Sequence, residues 1–220
     1  MTSRPSDSSH DAYHHGNLRE TLITTVLGLI SERGPAGFSF AEVARAAGVS
    51  PAAPYRHFRD RNALLAEVAR RGFERFTADL EAAWNKGLPD PARAFQACGH
   101  AYLAFARRDP ASYAAMFGRG APPSAEDVAL RAARERAFAV LRHAAEAISA
   151  NYSASARPPA VMIALHVWAE AHGIASLFVG PAELRHALPM APEELLEAHF
   201  LIYLQGLGAP GSDPAHRRAS

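Results

Sequence analysis

Ser39-Phe40-Ala41-Glu42-Val43-Ala44-Arg45-Ala46-Ala47-Gly48-Val49-Ser50-Pro51-Ala52-Ala53-Pro54-Tyr55-Arg56-His57-Phe58 reads as two short helices around a glycine turn. Ser39 with Glu42 three residues on is a capping box, each side chain satisfying a backbone N–H near the other. Val43, Ala44 and Ala47 share one face and leave Arg45 outward. Gly48 supplies the positive φ that a helix C-terminus commonly needs. Ser50 is placed to cap the second helix, with Pro51 at N1, where its missing N–H costs nothing. Pro54 removes a further donor and crowds the Ser50 carbonyl, so the second helix, expected over 51–57, must be short or tight at its start. Phe58 closes its apolar side and Asp60 caps the next helix. A second helix carrying Tyr55, Arg56 and His57 among small residues suits a DNA groove. A helical hairpin in an ordinary core would use the same turn chemistry.

The flanks favour the DNA-reading unit. Leu18, Leu22, Val26, Leu29 and Ile30 make an amphipathic helix expected over 17–33 and ending at Gly34. Three helices with a short last one form a compact reading module. Downstream, caps and punctuation predict helices over 61–84, from Asp90-Pro91 to about 108, and from Asp109-Pro110 to about Gly118. Ser124 with Asp127 reads as a second capping box before a helix to about 149, and helices follow over 158–179 and 192–207. No strand signal, repeat or low-complexity segment is seen. The expected fold is all-α: a mobile tail at 1–12, a helix-turn-helix unit at 13–62, a larger helical domain at 63–208 and a tail at 209–220. The 61–84 helix is the natural lever between the two parts.

Composition narrows the setting. The chain has 220 residues, 49% of them hydrophobic and 20% charged, which suits a globular helical protein with ample core. The single Cys98 excludes an internal disulfide and fits a reducing, cytoplasmic setting. No apolar run follows the start, so no secretory leader is expected. The apolar stretch at 160–179 is broken by His166, Glu170 and His172, and reads as a buried helix rather than a membrane span. A net charge of +1 means that DNA affinity would come from locally placed arginines, not bulk charge.

His14-His15-Gly16-Asn17-Leu18-Arg19, Ile30-Ser31-Glu32-Arg33-Gly34, Val43-Ala44, Ala47-Gly48-Val49-Ser50 and Tyr55-Arg56-His57-Phe58 resemble the TetR family of bacterial one-component regulators. A further likeness, at Trp168, His172 and Gly173, is to the subgroup with a Trp-His-Gly signature in its regulatory domain. The resemblance implies a homodimer on a double-stranded palindromic operator, with an unidentified small-molecule effector. It implies that Tyr55 and His57 hold the DNA backbone and that Arg61 reaches a phosphate. Pro51, Ala52, Ala53 and Ala41 match base-reading positions, yet they are small and apolar here; they can pack on thymine methyls but make no bidentate hydrogen bonds. Arg56 is then the candidate for guanine O6 and N7, with a phosphate contact or a solvated arginine as the other reading. Ser39 and Ser50 complete the DNA-facing set, Ser50 at a helix N-terminus suited to phosphate. His14 and His15 fit a DNA-touching arm or a solvated tail.

By the same resemblance the last two helices form the dimer surface, with Ala171, His172, Gly173 and Ala175 small or close-packing and Leu196, Phe200 and Tyr203 supplying area. The effector pocket is expected among Tyr102, Phe105, Tyr113, Met116, Phe117, Met162, His166 and Trp168, a set suited to a largely apolar molecule. Trp168 and Gly173 also fit plain packing, and His172 fits packing or ligand contact.

Two other classes compete with this reading. A metal-responsive regulator would use the 11 histidines, in particular His166 with Glu170 at i,i+4 and His172 and His199 nearby. No CxxC or HExxH supports it, and no metal or cofactor is expected. An enzyme would need a Gly-x-Ser-x-Gly elbow, a Gly-rich phosphate loop or paired carboxylates in an apolar run, and none is present. Ser176 and His172 lie one turn apart, but no acid is placed to orient the histidine.

Overall fold

The computed structural model describes residues 8–120, 122, 127–152, 157–179 and 189–206. Among these the chain is all helical. The helices are α1 (Ser8–Arg33), α2 (Phe40–Ala46), α3 (Arg61–Trp84), α4 (Pro91–Arg108), α5 (Pro110–Phe117), α6 (Val128–Ser149), α7 (Ala160–Val179) and α8 (Pro192–Gly206). Two compact units result, one from Met1–Gly72 with Ala111–Arg131 and the other from Phe73–Pro110 with Ala132–Ser220. Helix α3 contributes residues to both.

Three of the predicted features differ. Helix α1 starts at Ser8 rather than 17. No proline interrupts 8–16, and Gly16 costs a helix only about 1 kcal/mol, so the helix continues through the segment expected as a tail. The expected tail at 209–220, and Ser124 with it, lie outside the described residues. Helix α6 begins at Val128, with the Asp127 carboxylate accepting from Leu130 N–H at 2.8 Å, so Asp127 itself is the cap. The largest difference is the second helix of the pair. Residues 51–57 do not form an α-helix; they form turns and a single 3₁₀ turn at Pro54–Arg56. Pro54 has no N–H to give to Ser50, and the ladder that remains is tight: Ala53 N–H to Ser50 O at 3.0 Å and Arg56 N–H to Ala53 O at 3.2 Å. Ser50 therefore caps no helix.

The N-terminal unit is built on α1 and α3. Leu22, Val26 and Ile30 of α1, Val43 and Ala44 of α2, Phe58, and Leu64, Leu65 and Val68 of α3 are buried. Each such large side chain contributes about 1.5–3 kcal/mol on leaving water. The turns between helices are closed by glycines at positive φ, Gly34 at 73° and Gly48 at 70°. The Ser39 capping box forms as predicted, with Glu42 N–H donating to Ser39 Oγ and Ser39 N–H to Glu42 Oε2.

In the second unit α4 packs on α7 and α8, and α7 on α8. Gly99 of α4 lets α8 approach: a Cβ there would stand 2.9 Å from Leu196 Cδ2. Asp90 caps α4 through Arg93 N–H at 3.0 Å. Helix α7 is long and apolar enough by length and composition to cross a bilayer. The prediction of a buried helix holds for one face only. Ile163, Ala164, Val167, Ala171, Ile174 and Ala175 are buried, whereas Val161, Met162, Leu165 and Leu177 are exposed.

Candidate nucleic-acid interface

Residues 50–57 form an exposed tip on an anchored frame. Pro54 and Phe58 are buried and anchor the turn from both ends. The Tyr55 ring stands edge-on to Phe40 with centroids 4.9 Å apart, yet Tyr55 remains 61% exposed. Ser50, Pro51, Ala52 and Arg56 are exposed, and Ala53 and His57 are half-buried. Arg56 and Arg45 have no acidic partner among the described residues, whereas Arg33 pairs with Glu42 and Arg59 with Asp60. A guanidinium with no committed partner beside an exposed phenol is what backbone and base contacts require.

Two of the predicted DNA-facing residues are turned to the protein. Arg61 donates from Nε to Phe38 O at 2.9 Å and from Nη2 to Pro35 O, and lies over the Phe38 ring at 4.6 Å. Burial lowers its proton affinity. It clamps the loop between α1 and α2. Ser39 Oγ donates to Glu42 Oε2 at 2.8 Å while accepting from Glu42 N–H, so its hydroxyl is occupied by the cap. Those bonds, Ser39 N–H first, hold the Glu42 carboxyl below its usual range.

Beneath the tip, a charged lattice ties α3 to α1. Glu67 accepts from Arg70 and Arg71 at 2.8 Å and from Arg19 at 2.9 Å. Arg71 also grips Glu20 with two bonds of 2.7 Å. Burial pushes the Glu67 carboxyl up, but the bonds from Arg70, Arg71 and Arg19 outweigh it and bring it down to about 2. Nothing in the local sequence pattern pairs Glu20 with Arg71, because they are 51 residues apart.

The predicted pocket residues do not form one lining. Tyr102 and Phe105 are core side chains packed on Phe76, with centroids 5.0 and 5.1 Å away. Tyr113 and Phe117 pair with each other at 5.1 Å on α5, in the N-terminal unit with Met116. Trp168 lies against Phe138 at 5.2 Å. Met162 is exposed. The Tyr102 hydroxyl meets His172 Nδ1 at 3.0 Å, a polar pair within an apolar core, and burial holds His172 toward its neutral form.

A cleft of about 740 Å³ lies elsewhere in the second unit, lined by Glu81, Trp84, Lys86, Arg136, Val140 and His143 among others. The sequence reading singles out none of these. Arg136, Val140, His143 and Ala147 recur at helical spacing on α6, which is the signal that would have found the wall.

The dimer set is likewise revised in part. Ala171, Ala175, Leu196 and Phe200 face the protomer's own core, and Phe95 meets Phe200 at 5.8 Å. Gly173 is exposed and Tyr203 is half-buried. The apolar side chains that α7 and α8 leave uncovered are Val161, Met162, Leu165, Leu177, Leu201 and Ile202.

Comparison with known proteins agrees with this architecture. Residues 22–68 match the family described as bacterial regulatory proteins of the tetR family, and residues 95–201 match the tetracyclin repressor-like C-terminal domain. A protein of unknown function from Rhodococcus sp. RHA1 is 34% identical, with a TM-score of 0.72 over 90% of this chain and 98% of that one. The TetR family transcriptional regulator PfmR from Thermus thermophilus is 21% identical, with a TM-score of 0.59 over 86% and 99%. AibR, in complex with isovaleryl coenzyme A and operator DNA, is 15% identical, with a TM-score of 0.64 over 84% and 97%. No curated protein matches significantly. With both its N-terminal and its C-terminal residues matched, the chain belongs to the TetR family of transcriptional regulators.

Proposed function

We propose that the chain is a cytoplasmic homodimeric repressor that binds a two-fold symmetric operator and is released by a small molecule. The observation that carries the DNA reading is the exposed Tyr55–Arg56 tip beside a frame in which Arg61, Ser39 and Glu42 are engaged. Tyr55 and His57 hold the DNA backbone. Arg56 reads a guanine edge or holds a phosphate, with Ser50, Pro51, Ala52 and Ala53 against the groove floor. The DNA-reading part runs over 13–62 and the regulatory part over 63–208. Small side chains at 51–53 leave much of the specificity to DNA shape.

Dimerisation is supported by the exposed apolar strip on α7 and α8, since large uncovered apolar patches on soluble proteins mark interaction surfaces. A dimer of such regulators reads half-sites about 34–36 Å apart, one DNA turn. The effector reading rests on the cleft at Trp84 and Val140, whose apolar floor takes a largely apolar body. Lys86 and Arg136 outnumber Glu81 around it and favour an anionic end. AibR, which binds an acyl coenzyme A, has this combination in its ligand. The ligand acts by binding the released state more tightly than the DNA-bound one. Fluorescence anisotropy on operator fragments selected from genomic DNA tests the reading, with short acyl coenzyme A thioesters titrated in. Release of DNA by one of them supports it; failure of the wild type to bind any fragment at moderate salt overturns it.

A further inference from the structure

Helices α7 and α8 bring His166, Glu170 and His199 together on one side of the second unit. His166 Nε2 lies 2.9 Å from His199 Nε2, and His199 Nδ1 lies 3.2 Å from Glu170 Oε2. One donor atom from each residue falls within 4.8 Å of the other two, and all three residues are half-buried. The site is thus partly open to solvent.

Its spacing is that of a coordination shell. Ligand nitrogens held about 2.0–2.1 Å from an ion, at angles between square and tetrahedral, stand roughly 2.8–3.4 Å apart. The two imidazole nitrogens already meet that separation. Each ring is also held in place. Tyr203 stacks on His166 with centroids 3.8 Å apart, and Glu170 holds the far nitrogen of His199. Such support of imidazole ligands is what fixes their orientation at metal sites. His172, though on the same helix, is committed to Tyr102.

We propose that His166, Glu170 and His199 form a binding site for a divalent transition-metal ion of the zinc, cobalt or nickel kind. The ligands are the two Nε2 atoms, with Glu170 supporting His199 through its far nitrogen and water in the remaining positions. A nitrogen and oxygen donor set without thiolate suits these ions. Without the ion, one of the two Nε2 atoms carries the proton of the bond between them; ligation moves that proton to Nδ1 of the same ring. Because the site joins α7 to α8, the ion acts as a clip on the helices that carry the exposed apolar strip. It braces that surface and is separate from the effector cleft.

The test uses untagged full-length protein stripped with EDTA and titrated with Co²⁺, followed by visible absorption. Thermal melts are recorded with and without Zn²⁺. One saturable equivalent of Co²⁺ is expected, together with a higher melting temperature in Zn²⁺. Both are expected to vanish in H166N/H199N that keeps wild-type helicity and to persist in H14N/H15N. E170Q is expected to weaken Co²⁺ binding about 10–100-fold. Absence of a saturable equivalent, or its survival in folded H166N/H199N, overturns the site. Where the double variant does not fold, unchanged Co²⁺ affinity in E170Q overturns it.

Discussion

Tyr55 and Phe40 are a matched pair with opposite exposures: their rings meet at 4.9 Å, Phe40 is 9% exposed and Tyr55 is 61% exposed. The buried ring belongs to the core, and the exposed one uses it as a platform. Tyr55→Ala should therefore cost only about 0.5–1.5 kcal/mol of stability, the worth of an aromatic pair, while DNA affinity falls at least tenfold. Phe40→Ala should cost about 3–5 kcal/mol. Urea melts beside DNA titrations check both; equal stability losses in the two variants would contradict the assignment.

Arg61 and Arg56 should separate in the same assays. Arg61→Ala removes two bonds to backbone carbonyls, and a loss of about 1–3 kcal/mol in stability is expected. The slope of log affinity against log salt should stay near wild type. Arg56→Ala should leave the melt unchanged. It should either lower that slope by about one, as a phosphate contact would, or relax base preference at one position of each half-site.

Acid should loosen the tie between α1 and α3. The Glu67 carboxyl is held near 2 in the fold against an ordinary 4.5. Because the folded value is the lower one, the stabilisation is present above about pH 4.5 and is lost as pH falls toward 2. After solvent screening it amounts to about 1–2 kcal/mol. Glu67→Gln should be less stable at pH 7 and show a flatter stability curve between those limits, as read by urea midpoints at a series of pH values.

The apolar strip predicts the assembly. Leu165→Glu with Ile202→Glu places charges on side chains that are 54% and 67% exposed in the protomer, so the helices should survive. The expected outcome is a monomer by sedimentation with wild-type helicity and much weaker operator binding. A dimer that persists would move the interface elsewhere.

Much of this molecule is legible in its sequence because local rules act alone there. The Ser39 box, the Asp60 and Asp90 caps and the bounds of α3 follow from side chains within a few residues of one another. The tight turn at 54–56 is only half legible: Pro54 announces a short start, but a seven-residue helix still fits the pattern. The illegible part is long-range. Arg61 reads as a free phosphate ligand until the fold brings Pro35 and Phe38 under it. Ala171, Ala175 and Leu196 suit an interface as well as a core, and only packing against α4 decides between them. The wall of the cleft joins the end of α3 to α6, which no local pattern connects.

The central claim is that the Tyr55–Arg56 turn reads DNA. Footprinting of the full chain on selected genomic fragments, beside Tyr55→Ala and Arg56→Ala proteins, tests it most directly. The account predicts a protected two-fold symmetric site with half-sites one DNA turn apart, lost in Tyr55→Ala and weakened or relaxed in Arg56→Ala. Protection that is the same in all three proteins would contradict it.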